Sequence, residues 1–223
     1  MVVWIITGIA ALGVGIWWLA SWCDAREDRR CENLDLRYES FLDENPTIRE
    51  GKLYWLYFGT GARIRVSYHP AKHKAIFYSY VDKQMDIVQK EKENIDIEAL
   101  RTYDFRNISF AIDPTFRTLW YFFWRYDKKD PKNPLYIFSD PLDDVLSIEF
   151  TEDSLPHKKG KTINWWGIRI KTKNVDEPIF DLHFQTLGLP MKDWETGIWQ
   201  TFYQNDKALM EQFIAAYEAM KAE

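Results

Sequence analysis

Cysteine is scarce in this chain of 223 residues, which has two, Cys23 and Cys31. A disulfide-stapled fold is therefore excluded beyond residue 31, and this usage is typical of a reducing compartment. A strongly basic balance is also missing, since 29 Lys and Arg residues stand against 34 Asp and Glu residues. A polyanion-binding surface over the whole protein is excluded, and we expect no nucleic-acid partner.

Recognisable catalytic motifs are missing as well. The glycines of residues 58–62 are not followed by Lys-Ser or Lys-Thr, so a turn is favoured over a phosphate site. His69 and His73 are four residues apart, but Pro70 argues against the helix that such a metal pair needs. Turn and strand capping explains the acidic residues 140–144 better than a cation site does. We therefore expect a protein that is not an enzyme and has no cofactor or metal.

Charged side chains are absent from residues 1–22. As a helix, residues 2–22 would span about 31 Å, the thickness of a bilayer core, so we predict a transmembrane helix. A cleaved signal peptide is disfavoured because the segment has no cationic start and no small residues before a cut. Indole rings prefer the headgroup level. The expected anchors at the two interfaces are Trp4, Trp17, Trp18 and Trp22.

Orientation follows from the cations that come directly after this segment, Arg26, Arg29 and Arg30. Flanking Lys and Arg residues are retained on the cytoplasmic side, so we predict a single-pass protein with a cytoplasmic domain. Gly8, Ala11 and Gly15 form a stripe that suits a weak homodimer between transmembrane helices. Small residues are nevertheless common in any such helix.

Residues 23–50 are charged and predict a juxtamembrane stalk, and the domain follows over residues 51–223. From Lys52 the sequence has short aromatic and β-branched runs separated by turn residues, which predict eight or nine strands in a sandwich or barrel. Residues 83–103 are polar and read as an insertion of uncertain form. The predicted strands before residue 140 are Leu53–Phe58, Arg63–Tyr68, Ala75–Val81, Ile108–Ile112, Thr118–Tyr126 and Leu135–Phe138.

Alternation of apolar and polar residues predicts three further half-buried strands after residue 140. Their predicted inward residues are Leu146, Ile148 and Phe150, then Trp166, Ile168 and Ile170, then Phe180, Leu182 and Phe184. An amphipathic helix is predicted over about residues 205–222, with Asn205 or Asp206 as its cap.

Strands followed by one terminal helix is the order of a pleckstrin-homology-like (PH-like) domain. The residues Asp144–Phe150, Gly167–Lys171, Asn174–Ile179 and Leu182–Phe184 resemble the recurring core of a large group of uncharacterised bacterial proteins with PH-like domains. The resemblance implies a mainly β, PH-like antiparallel sandwich or barrel closed by a C-terminal α-helix. It also implies a bacterial protein that is not an enzyme, and it implies nothing about the ligand.

Two surfaces are candidates for binding. The aromatic runs 120–124 and 165–166 predict an outward apolar patch for a partner, unless another layer covers it; the candidate residues are Trp120, Trp124 and Trp165. The loop between two strands at residues 155–161 is basic, and each lysine near an anionic leaflet contributes about 1 kcal/mol. The candidate anion or lipid contacts are His157, Lys158, Lys159 and Lys161, although an ordinary solvated hairpin tip has the same composition.

These features favour a non-catalytic module that recruits or senses a protein partner at the cytoplasmic face of the inner membrane. One alternative is a module that contacts anionic lipid through the loop Lys158–Lys161. A second is a membrane-tethered enzyme with a site assembled from Asp140, Asp143 and His183. A third is a defence or immunity factor.

Overall fold

The computed structural model describes residues 33, 35–57, 63–81, 86–105, 108–124, 135–157, 160–176, 178–186 and 198–222. The chain has two compact units, and the boundary between them in the sequence falls between Glu50 and Gly51. The predicted transmembrane segment 2–22 lies outside the described residues. Within those ranges, no helix combines the length and the apolar character needed to cross a bilayer.

The described part of the first unit is helical. Helix α1 covers residues 35–44, and α2 covers Pro46–Arg49. The break falls at Asn45, whose side-chain amide donates a 2.8 Å hydrogen bond to the carbonyl of Phe41. A residue before proline is driven out of the helical conformation, so the Asn45-Pro46 pair separates the two helices.

The described residues of the second unit form eleven strands in three antiparallel sheets, followed by one helix, α3 (Ile198–Ala222). Within each sheet, strands that are consecutive in sequence pair with one another. Sheet A consists of β1 (Lys52–Tyr57), β2 (Arg63–His69), β3 (Lys74–Val81) and β4 (Asp86–Glu93). Sheet B consists of β5 (Arg101–Asp104), β6 (Ile108–Asp113), β7 (Thr118–Trp124) and β8 (Leu135–Pro141). Sheet C consists of β9 (Val145–His157), β10 (Gly160–Thr172) and β11 (Ile179–Thr186).

The prediction of a mainly β protein with a C-terminal helix is confirmed. The two strands beyond the nine that were named are β4, which lies within the polar stretch 83–103, and β5, which begins in it and ends at Asp104. The stretch 155–161, expected to be a loop, mostly continues β9 and β10 into a hairpin. Strand pairing decides the conformation in both stretches, because the backbone ladder does not require apolar side chains.

Two apolar cores meet at sheet B. Phe110 and Ile112 of β6 belong to a first core, which sheet C and α3 also line, whereas Ala111 belongs to a second core shared with sheet A. All six residues of β6 are buried. The inner strand β6 is therefore covered on both faces, and sheet B is the middle layer of a sandwich-like unit whose edge strand β5 is largely exposed.

Helix α3 closes the first core. It begins at Ile198, about two turns before the predicted cap, so the prediction that Asn205 or Asp206 caps the helix is wrong. Asp206 is buried and accepts a 2.8 Å hydrogen bond from the indole N–H of Trp166. Further along, the Tyr217 hydroxyl donates to the carbonyl of Val145 at 2.7 Å. Both bonds attach the helix to sheet C.

Leu146 is a second correction, since its side chain is 53% exposed rather than buried. The register of β9 on β10 shifts here: Val145 lies opposite Thr172 and Ser147 lies opposite Lys171, which leaves Leu146 as an extra residue. A bulge of this kind turns a strand's side chains locally. Val145 takes the buried position in its place.

Another bulge lies between β10 and β11. His183 is opposite Gly167 and Gln185 is opposite Trp166, so Phe184 is the extra residue on β11. A Cβ atom on Gly167 would lie 2.0 Å from the carbonyl oxygen of Leu182 and 2.9 Å from the Cα of His183. Because both are backbone atoms, a side chain at position 167 would push the two strands apart.

We predict that Gly167→Ala lowers the free energy of unfolding by about 3 kcal/mol, the upper end of the cost of overpacking. Denaturant unfolding of the full chain in mild detergent, followed by near-ultraviolet circular dichroism, measures the change. A variant as stable as the wild type would show that β11 can move away from Gly167 without cost.

Candidate functional site

The outer face of sheet C is the candidate binding surface. We define it by Glu149 of β9, Trp165, Arg169 and Lys171 of β10, and Asp181 and His183 of β11. On the opposite side of β10, Trp166, Ile168 and Ile170 are fully buried in the first core, as predicted. Alternation along the strands therefore leaves these six side chains half-buried or exposed.

Ion pairs order this face. The guanidinium of Arg169 makes two hydrogen bonds to the Asp181 carboxylate, at 2.7 and 2.8 Å. The Lys171 ammonium donates to Glu149 at 2.8 Å. These contacts hold the pKa of Asp181 and of Glu149 below their ordinary values, in each case chiefly through the hydrogen bond from the cation. The two cations, Arg169 and Lys171, balance the two carboxylates, so the defined face has no net formal charge.

One end of the outer face of sheet C carries an aromatic stack. The ring of Trp165 lies on the imidazole of His183, with centroids 4.0 Å apart and planes inclined by 16°. Trp165 is half-buried and His183 is exposed. We call this stacked pair the aromatic platform, since aromatic rings with polar atoms at their edges are the type of side chain that protein interfaces use as an anchor.

The other predicted aromatic residues do not join this platform. Trp120 is 2% exposed and lies in the second core, so its prediction as a surface residue is wrong. It is buried because sheet A covers the face of sheet B that the sequence suggested was open. The side chain of Trp124 lies outside the described residues.

The basic loop is the tip of the β9–β10 hairpin. The ladder runs on until His157 lies opposite Gly160 and Pro156 lies opposite Lys161. Residues 158–159 and the side chains of His157 and Lys161 lie outside the described residues. The predicted membrane anchors also lie outside them, as does the small-residue stripe; these are Trp4, Trp17, Trp18, Trp22, Arg26, Arg29, Arg30, Gly8, Ala11 and Gly15.

The residues of the enzyme alternative have separate surroundings. Asp143 forms an ion pair with Arg117 at 3.4 Å, and His183 stacks against Trp165 on the outer face of sheet C. Asp140 belongs to β8, where burial raises the pKa of its carboxyl group. Residues 142–144 form a 3-10 turn, which agrees with the turn interpretation of the acidic run. Within the described ranges, no three His, Cys, Asp or Glu side chains are grouped as metal ligands would be.

A polar network that the sequence analysis missed joins the β4–β5 connection to the β6–β7 turn. Asp113 is fully buried and accepts hydrogen bonds from the backbone N–H groups of Asp96, Thr115 and Phe116, at 2.7 to 3.2 Å. The Asp113-Pro114 pair signals the turn in the sequence. Nothing local signals that Asp96 lies beside it.

Asp96 is the centre of this network. Its carboxylate accepts hydrogen bonds from the hydroxyls of Tyr68, at 3.2 Å, and Thr115, at 3.0 Å. Burial raises the pKa of Asp96, but these bonds and others from backbone N–H groups outweigh burial and leave the pKa below its ordinary value. Burial and the neighbouring Asp96 raise the pKa of Tyr68 to about 12. The network thus links the β4–β5 connection to the β6–β7 turn and keeps the Tyr68 hydroxyl protonated.

We predict opposite effects for two carboxyl groups at neutral pH. The folded pKa of Asp96 is lowered, so its stabilisation is present above the unfolded pKa and is lost as the pH falls through the folded pKa. The folded pKa of Asp140 is raised, so stability is lost as the pH rises through it. Asp96→Asn is expected to lower the free energy of unfolding at neutral pH by about 1–2 kcal/mol. Asp140→Asn is expected to raise it.

Denaturant unfolding of both variants between about pH 4 and pH 8 measures these effects. Equal changes in the two variants, or a loss of stability in Asp140→Asn at neutral pH, would contradict the assignment.

Comparison with known proteins does not assign the chain to a family. The sequence matches no family model, and it matches no curated protein.

Proposed function

We propose that this protein is a membrane-anchored, non-catalytic binding module that docks a protein partner on the outer face of sheet C. The observation that carries the proposal is the Trp165–His183 stack on a face ordered by balanced ion pairs. Tryptophan is among the residues that contribute most to protein interfaces. The balanced charges favour a protein over a polyanion or an anionic membrane, both of which need a net positive surface.

Sheets B and C support the PH-like interpretation. They are successive antiparallel meanders, and α3 closes the core between them. The residues that carry the resemblance lie mainly in sheet C. The carbonyl of Asp144 accepts from the N–H of Lys173, and the Asn174 side chain accepts from the N–H of Asp176, so the Asn-x-Asp-x-Pro motif forms the β10–β11 turn. We propose that the region from β5 to α3 is the PH-like part of the chain.

Residues 2–22 serve in this proposal as the single membrane anchor, with the domain in the bacterial cytoplasm. The arginines after the segment and the lack of cysteine beyond residue 31 are its support. Anchoring makes lipid affinity of the domain unnecessary for its location.

Contact with anionic lipid is a second candidate. Strand β11 pairs with β10 over Trp165–Lys171, whereas β9 and β10 continue as a two-stranded ribbon to Gly160. His157 and Gly160, which flank residues 158–159 in the sequence, therefore lie at the end of this ribbon. The end of such a ribbon can reach a leaflet without the rest of the domain.

We predict that Trp165→Ala weakens capture of the partner about 30-fold, the loss of about 2 kcal/mol that an interface tryptophan commonly contributes. Crosslinking and affinity purification of the full chain from native membranes, quantified by mass spectrometry, measures the captured protein. Trp55→Ala is the matched control, because Trp55 is 43% exposed on sheet A.

Equal losses in these two variants would exclude the outer face of sheet C as the docking site. Recovery of no protein, together with selective retention of residues 45–223 on anionic vesicles, would replace the proposal with lipid contact.

We predict a cytoplasmic C-terminus. Green fluorescent protein fused after Glu223 should fluoresce, and alkaline phosphatase fused at the same position should be inactive, because each reporter works on one side of the membrane. The reverse pair of results would place the domain outside the cytoplasm.

A further inference from the structure

Strand β4 contains an alternating run of charges, Lys90, Glu91, Lys92 and Glu93. In a helix, Lys90 and Glu93 would be neighbours on one face and would neutralise each other. Successive side chains of a strand point to opposite sides of the sheet instead. The two lysines therefore lie on one side of sheet A and the two glutamates on the other, so the strand separates these cations from the carboxylates nearest in sequence.

The register with β3 shows which side of the sheet the lysines occupy. Lys90 lies opposite Phe77, and Lys92 lies opposite Ala75. Phe77 and Ala75 are fully buried in the second core. Lys90 and Lys92 therefore lie on the core-facing side of sheet A, on the last strand of its order, where both are half-buried. Their alkyl stems extend the apolar surface, and their ammonium groups lie at its margin.

The other half-buried lysines of the described ranges have carboxylate partners. Lys74 forms an ion pair with Glu91, on the far side of sheet A, and Lys171 forms one with Glu149. Lys90 and Lys92 have no ion pair and no side-chain hydrogen bond with any residue that the structure describes. The nearest charge on their side of the sheet is the other lysine.

Positive charge is therefore left without compensation at this pair. Burial lowers the pKa of the Lys92 ammonium group, and the neighbouring Lys90 lowers it further. Partial removal of an ammonium group from water costs free energy that an opposite charge normally offsets. Repulsion between two adjacent cations adds to that cost. A bound anion offsets both terms at once.

We propose that Lys90 and Lys92 form a binding site for a compact phosphate group with two negative charges, of the phosphate monoester type. Residues two apart along a strand are separated by about 6.6 Å. The flexible stems allow both ammonium groups to contact one phosphate group. Each ammonium group has three donors, and a phosphate monoester offers three strong acceptor oxygens.

The double charge of the ligand follows from the double charge of the site. A single carboxylate would leave a net positive charge between two groups that repel each other. A phosphate monoester carries about −1.5 to −2 charges at pH 7 and matches the pair. Dissolved phosphate monoesters and the headgroup of phosphatidic acid share this chemistry. The inference goes beyond the proposed partner, because the pair lies on sheet A and the docking face lies on sheet C.

Acetylation of the full chain, followed lysine by lysine with mass spectrometry, tests the site. The chain is placed in nanodiscs of zwitterionic lipid and treated with an acetylating N-hydroxysuccinimide ester. Only the neutral amine reacts, so an anion that keeps the ammonium group protonated slows the reaction. Saturating glycerol 3-phosphate, compared with chloride at equal ionic strength, is expected to slow acetylation of Lys90 and Lys92 about tenfold, as a rise of one pKa unit does. Lys207, which is exposed on α3, is the control and should react equally in both.

A second set of nanodiscs distinguishes the two sources of the phosphate group. Phosphatidic acid replaces part of the zwitterionic lipid, and no glycerol 3-phosphate is added. Protection by dissolved glycerol 3-phosphate supports the site with a soluble ligand. Protection by phosphatidic acid alone supports the site with a lipid headgroup.

Three variants test whether the two lysines act as a pair. Lys92→Met keeps an unbranched stem and removes the charge, so protection of Lys90 by the effective phosphate should be lost. Lys92→Arg keeps the charge and should keep most of the protection. Lys207→Met is the matched control and should leave the protection of Lys90 unchanged. Because Lys92→Met removes a repelling charge from a half-buried position, it is expected to fold at least as stably as the wild type.

Three results would overturn the proposal. The first is equal acetylation of Lys90 and Lys92 with and without either source of phosphate. The second is equal protection of Lys207, which would show a general effect of anions on the reagent. The third is full protection of Lys90 in the Lys92→Met variant.

Discussion

Burial of β6, the inner strand of sheet B, on both faces is the constraint on which the rest of the second unit depends. Strand β6 has no residue at the surface, so its side chains must suit two cores at once. Its one acidic residue, Asp113, is tolerated because three backbone N–H groups satisfy its carboxylate. Since β6 has no surface to offer, we place the proposed docking site on an outer layer, where sheet C has the better defined face.

Attachment of α3 explains why that outer face can be open. The helix lies on the inner side of sheet C, where the Trp166–Asp206 and Tyr217–Val145 hydrogen bonds and the stacking of Phe110 on Phe213 hold it. The first core is thereby closed without covering the outer side of sheet C. Ion pairs across that side then hold its charged side chains together, and the opposite charges within each pair cancel.

Much of the fold could be predicted from the sequence where one face of a strand is buried and the other is wet. Trp166, Ile168 and Ile170 follow that alternation, and the structure has them buried. Prediction from alternation is wrong at Trp120, because a strand buried on both faces does not alternate between apolar and polar residues. It fails at Leu146 because a bulge depends on the register of the neighbouring strand. The Asp96–Asp113 network joins separate turns, so tertiary contact alone reveals it.

The double burial of β6 also bears on how such a chain can diverge. A change of side-chain volume at Ala111 alters the packing against sheet A, and a change at Phe110 alters the packing of the first core. Neighbouring positions along β6 are therefore constrained by different layers. The residues at the hairpin tips and on the outward faces of sheets A and C are not packed between two cores. Substitutions and insertions should therefore cost less stability at the periphery than in β6.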